Sequence, residues 1–145
     1  MKIKNRERGN AVLEFALGFA VLWFLFAGIF QFGYAFWTYN ILMTQVANAA
    51  ELGSKMTYDA SSPSTYTTKL TNMVLYGDTA AGSSVVVPGL QASNVTVNLN
   101  RDANNIPRDV TIYITGYTIN ALFASFSPTN KPRATVLYVG RVAGM

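Results

Sequence analysis

Between Glu14 and Glu51 the chain carries no charged side chain for 36 residues. Phe15 to Trp37, the first 23 of them, hold one strongly polar side chain, Gln31. As a helix those 23 residues reach about 35 Å, enough to cross a hydrocarbon layer of about 30 Å with some tilt. A buried core helix would not need so long an apolar stretch in a chain of 145 residues. Eleven of the nineteen aromatic residues lie between Phe15 and Tyr39, and Tyr34, Trp37 and Tyr39 stand at its far end. Amphipathic rings favour the headgroup level, so these three are the expected membrane-interface residues. The partner read here is membrane lipid.

The flanks give the direction. Lys2, Lys4, Arg6 and Arg8 against Glu7 put +3 into the first eight residues, while the other 137 carry seven basic and six acidic side chains. A basic cluster beside an apolar span stays on the cytoplasmic side, which sends the C-terminal part across. The body of the chain lacks the dense basic stripe that phosphates require, so no nucleic acid is expected. A secretory signal is the competing reading of the basic start. Its apolar region would be 7–15 residues, and the small-x-small site Ala47-Asn48-Ala49 lies ten residues past the apolar run.

Chemistry is scarce. With no cysteine and no histidine, disulfides, thiolate metal sites and the Ser-His-Asp triad are excluded. No enzyme, no metal and no cofactor is expected. Asp102, Asn104 and Asn105 faintly suggest a calcium loop, but the glycine and the closing glutamate are missing, and a polar hairpin loop is the simpler reading. Asp102 and Asp109 each adjoin an arginine, Arg101 and Arg108, and read as solvated turn charges. Asn94-Val95-Thr96 fits a glycosylation triplet, a pattern common by chance.

No proline interrupts residues 10–56. Ala35, Tyr39, Leu42, Val46, Ala49 and Gly53 recur at helical spacing, so the membrane helix continues outward with an apolar stripe that needs a cover. Glu51 and Lys55 form a favourable i,i+4 pair on another face. Residues 57–71 are rich in Ser and Thr. Ser64 is the expected cap of a short helix carrying Tyr66, Leu70, Met73 and Val74 and ending at Gly77. The period then becomes two: Val95, Val97 and Leu99, then Val110, Ile112 and Ile114 alternate with polar residues. Ala134 to Val142 is a third candidate strand and Val85 to Val87 a short fourth. Ile119, Leu122, Phe123 and Phe126 have helical spacing and suggest a short helix or apolar plug. The expected class is α+β: a long N-terminal transmembrane helix continuing into a small exported domain, with a three- to four-stranded antiparallel sheet and one or two short helices. The expected divisions are a basic leader over 1–9, the helix over 10–56 and an exported β-rich domain over 57–145.

Glu14, one residue before the apolar run, has two readings. It is either a first-turn glutamate favoured by the helix macrodipole, or a charge that needs a partner. If the chain is cut after Gly9, Asn10 gains an α-ammonium and Glu14 becomes the fifth residue. A carboxylate in an apolar bundle then finds its cation on a neighbouring subunit.

Gly9, four residues and then Glu14-Phe15 resembles the prepilin-peptidase site of type IV pilin-like proteins. More closely, Arg8-Gly9-Asn10-Ala11-Val12-Leu13-Glu14-Phe15-Ala16-Leu17 resembles the opening of the TadE-like family, pseudopilins of tight-adherence (type IVb) pili. The resemblance continues through Gly28-Ile29-Phe30-Gln31-Phe32-Gly33 and Ala49-Ala50-Glu51-Leu52-Gly53. It departs at Ala20, where the family usually has proline, and at Gln31, where it often has glutamate. The resemblance implies a minor pilin-like subunit of the bacterial inner membrane, N-terminus cytoplasmic and C-terminal domain periplasmic, able to enter an extracellular pilus. It implies cleavage between Gly9 and Asn10 by a prepilin peptidase, and assembly through Glu14 and Phe15. The partners it implies are the major pilin, other minor pilins and the inner-membrane assembly platform, and the purpose is pilus biogenesis and adhesion. The alternative is a single-pass anchor whose periplasmic domain binds a partner and is neither processed nor assembled.

Overall fold

The computed structural model describes residues 4–103, 105–121 and 123–143, with side chains from Gly9 onward. Met1, Lys2 and Ile3 of the expected leader, Asn104 of the loop and Leu122 of the apolar plug lie outside the described residues.

One helix, α1 (Lys4–Lys55), runs without a break from the basic N-terminal segment to the C-terminal α+β head. It is longer than the 10–56 expectation at its start. Nothing from Lys4 to Asn10 breaks a helix except Gly9, whose cost relative to alanine is about 1 kcal/mol. The expected Lys55–Glu51 pair closes its upper end at 2.7 Å. That ammonium, by hydrogen bond and by charge, holds the Glu51 carboxyl below the ordinary value.

A sharp turn leads to α2 (Pro63–Tyr76), and here the expected cap is corrected. Ser62 rather than Ser64 is the N-cap, because Pro63 takes the first helical position, where its missing N–H costs nothing. The other end is as expected: Gly77 is left-handed (φ 73°) and donates its N–H to the Met73 carbonyl at 3.0 Å. Tyr66, Leu70, Val74 and Leu75 are buried against α1. The Tyr66 hydroxyl donates to the Gly53 carbonyl at 2.6 Å, and burial pushes that phenol well up. A Cβ on Gly53 would stand 3.0 Å from the Leu70 side chain, so this glycine sets how closely the two helices meet.

The sheet has β1 (Val95–Arg101), β2 (Pro107–Ile114) and β5 (Arg133–Leu137), all antiparallel, in the order β1-β2-β5. Its register aligns the apolar alternation. Leu99, Val110 and Val136 form one row, Val97, Ile112 and Ala134 the next, and Val95 pairs with Ile114. Val110, Ile112 and Ile114 are fully buried, and both β2 and β5 pack on α1. The core therefore joins the sheet, α2 and the helix stripe, with Leu42, Val46, Ala49 and Ala50 contributed by α1.

Three further expectations are corrected. Val85 to Val87 is not a strand. Val86 gives its N–H to the Leu75 carbonyl, Val87 drops into the core, and the Pro88-Gly89 turn (Gly89 φ 78°) ends the segment. The third strand stops at Leu137 instead of reaching Val142. From there the chain leaves the sheet and clasps the top of α1: Val139 N–H donates to Ser54 C=O, while Tyr58 and Val142 form a parallel bridge. Finally, Ile119, Phe123 and Phe126 are on no helix. Residues 119–126 make a small hairpin, β3 (Ile119–Asn120) with β4 (Ser125–Phe126).

The clasp leaves no room at Gly140, where a Cβ would sit 2.6 Å from the Met56 carbonyl oxygen and 2.8 Å from the Tyr138 hydroxyl. Gly140→Ala should therefore lower stability by about 1–3 kcal/mol, as overpacking of a tight site does. Thermal unfolding of the full chain in detergent, followed by circular dichroism, measures this, and an unchanged midpoint would contradict the clash.

Candidate functional site: the exposed helix and its ends

The candidate processing residues lie exposed on one uninterrupted helix. Asn10, Glu14 and Phe15 are exposed, and a Cβ on Gly9 would meet nothing within 4 Å. Gly9 and Glu14 are five residues apart, about 7.5 Å along the axis. A peptidase needs extended backbone at the bond it cuts, and glycine at that bond makes local unwinding of α1 less costly. The continuous helix also changes the standing of Glu14. With α1 starting at Lys4, Glu14 lies in the third turn, beyond the first turn where the macrodipole acts. The first-turn reading therefore fails for the uncut chain, whereas in a helix that begins at Asn10 Glu14 is the fifth residue, next to the first turn.

From Val12 to Phe26 every side chain is exposed, including Phe15, Phe19, Trp23 and Phe24. Phe15, Phe19 and Trp23 stack in sequence, with ring centroids 6.2 and 6.4 Å apart. A bare aliphatic and aromatic helix of this kind is stable only against lipid or other helices.

The expected interface trio divides. Trp37 points outward at 56% exposure, with its ring 6.1 Å from that of Tyr34. Tyr34 and Tyr39 are half-buried on the side of the α+β head. Tyr39 packs on the core, and Tyr34 lies near enough to Tyr117 to add to the burial that raises the Tyr117 phenol.

Sequence reasoning treated Gln31 as the lone polar residue of the span and missed its function. Its side-chain amide donates to the Ala124 carbonyl at 2.7 Å and accepts from the Phe123 N–H at 2.7 Å. The carboxylate that the family often has at this place could accept from Phe123 but not donate to Ala124. The available signal was one amide isolated among 23 apolar residues, since such a group must find a partner.

The calcium-like loop is a turn. Asp102 Oδ1 accepts from the Ile106 N–H at 2.9 Å, and Asn105 accepts from Arg101 at 3.1 Å. Asp109 accepts from Asn100 Nδ2 at 2.9 Å, across the same hairpin. Both patterns are those of loop and strand-end contacts.

One long helix, apolar enough to cross a membrane and exposed from Gly9 to Phe26, carries a small α+β head: this is the build of a membrane-anchored protein. Residues 9–51 match the family model for TadE-like protein, the family that the N-terminal motif resembles. That match makes the helix segment a TadE-like domain and associates the protein with tight-adherence pili. It ends at Glu51, so the head beyond it lies outside the match. No curated protein and no solved structure matches the chain.

Proposed function

We propose that this protein is a minor pilin-like subunit of a tight-adherence pilus, cut by a prepilin peptidase between Gly9 and Asn10 and assembled through its N-terminal helix. The observation that carries this reading is the Gly9–Glu14–Phe15 spacing at the open end of a helix that is exposed at every residue from Gly9 to Phe26. Before assembly the bilayer covers that half, with the N-terminus in the cytoplasm and the head in the periplasm. In the pilus, helices of the major pilin and other minor pilins replace the lipid. The assembly platform of the inner membrane supplies the work of extraction. The head stays outside the helical bundle, where it contacts neighbouring subunits and serves pilus biogenesis and adhesion.

A plain membrane anchor with a binding head would leave the glycine-to-glutamate spacing without a purpose. The test is the intact mass and N-terminal residue of the protein recovered from membranes of its native host. The expected N-terminus is Asn10, and Gly9→Leu should shift the whole population to the uncut mass. Protein that begins at Met1 in the unsubstituted chain would favour the anchor, and one beginning near Ala50 a secreted head.

A further inference from the structure

The hairpin β3–β4 hangs from the head alongside α1, and its turn meets the helix at Gln31. Gln31 is 17 residues above Glu14, about 26 Å along a helix axis. With Glu14 at the inner interface, a hydrocarbon layer of about 30 Å extends past Gln31. The turn of the hairpin is thus at the depth of the outer leaflet.

The hairpin has the composition for that depth. No charged residue occurs from Val110 to Asn130, a run of 21 residues bounded by Asp109 and Lys131. Phe123 is 66% exposed and Phe126 54%, and Phe126 lines one groove with the exposed Phe32 and Phe36 of α1. A turn in water has no need of protein partners for its backbone. Here the Phe123 N–H and Ala124 C=O are both taken by Gln31, and Ala124 C=O also accepts the Ala121 N–H. Internal satisfaction of backbone polar groups is what a non-helical segment in lipid requires. Between hairpin and helix runs an apolar groove of about 730 Å³, lined by Phe32, Phe36, Tyr39, Phe126, Pro128 and Lys131. A lysine beside such a surface can lay its stem along it and reach a lipid phosphate with its ammonium.

We infer that the β3–β4 hairpin is a second membrane contact, seated in the outer leaflet with Phe123 and Phe126 among acyl chains and pinned to α1 by Gln31. The inference rests on the reading of α1 as a membrane span. It gives the head a fixed tilt and height above the bilayer, and this contact must be broken when the subunit leaves the membrane.

The chain has no cysteine, so single nitroxide labels can be placed by substitution in the full-length protein, reconstituted in phosphatidylglycerol–phosphatidylethanolamine vesicles. Labels at Phe123→Cys, at Phe24→Cys in mid-helix and at Ser83→Cys on an exposed loop of the head separate the outcomes. The expected result at Phe123 is strong relaxation by oxygen and near-complete loss of relaxation by a water-soluble nickel complex, as at Phe24 and opposite to Ser83. If Phe24 is dry and Phe123 is as nickel-accessible as Ser83, the hairpin contact is overturned while the span stands. A nickel-accessible Phe24 would overturn the span and the hairpin contact with it.

Discussion

Glu14→Ala should leave the protein cut at Gly9 and present in membranes, yet nearly absent from sheared pili. In the uncut chain Glu14 is exposed, beside the polar interface, where a carboxylate is well solvated. Entry into a helical bundle removes that water. With the proposed cut, the α-ammonium at Asn10 is then the available cation, and in the bundle the one that replaces the lost water comes from a neighbouring subunit. Removing one partner of a buried pair costs about 3–5 kcal/mol. At about 1.4 kcal/mol per factor of ten, incorporation should fall roughly a hundredfold or more. Immunoblots of the sheared and membrane fractions give the ratio directly. Glu14→Gln should fail similarly, since it keeps the shape and loses the charge. If both variants enter pili normally, charge pairing plays no part, and Glu14 is only a carboxylate close to the positive end of the cut helix.

The parts of the fold visible in the sequence are those governed by one period. The 23 apolar residues from Phe15 admit a single solution in a bilayer, and α1 takes it. The stripe at Leu42, Val46, Ala49 and Gly53 is buried where its helical spacing puts it. The alternation in β1 and β2 gives the correct inward face because a register slip by one residue would expose Val110, Ile112 and Ile114 together. The failures lie where two patterns coincide or where a partner is remote in sequence. Ile119, Leu122, Phe123 and Phe126 have the spacing of one helical face, but the hairpin along α1 buries Ile119 and exposes Phe123 and Phe126. Val85 to Val87 has strand propensity, but Val86 bonds to the Leu75 carbonyl in the last turn of α2 and the turn at Gly89 decides its course. Of the candidate site, Gly9, Asn10, Glu14 and Phe15 were readable as a motif. The bond from Gln31 to a turn more than 90 residues away was not, because no local rule connects them.

The head should not fold without the helix. Its core takes Leu42, Val46, Ala49 and Ala50 from α1, all essentially inaccessible to solvent, and the C-terminal clasp is bonded to Ser54 and Tyr58. Residues 57–145 alone are small enough that a core missing one of its walls falls below what ordering the chain requires. A fragment beginning at Thr57 should therefore give a collapsed NMR spectrum with little shift dispersion, whereas one beginning at Tyr34 should give the dispersed spectrum of a folded head. Within the full chain, Leu42→Ala removes a completely buried side chain from the junction of helix, sheet and α2. Large-to-small changes at such sites cost about 2–5 kcal/mol, so unfolding of the head in detergent should move to clearly lower denaturant. The neighbouring Met43→Ala, on a side chain 55% exposed, should barely shift it. Equal effects at the two positions would mean that α1 is only a tether. Unequal effects in the expected order make the helix a structural part of the head, so that extraction of the helix from the membrane carries the head's core with it.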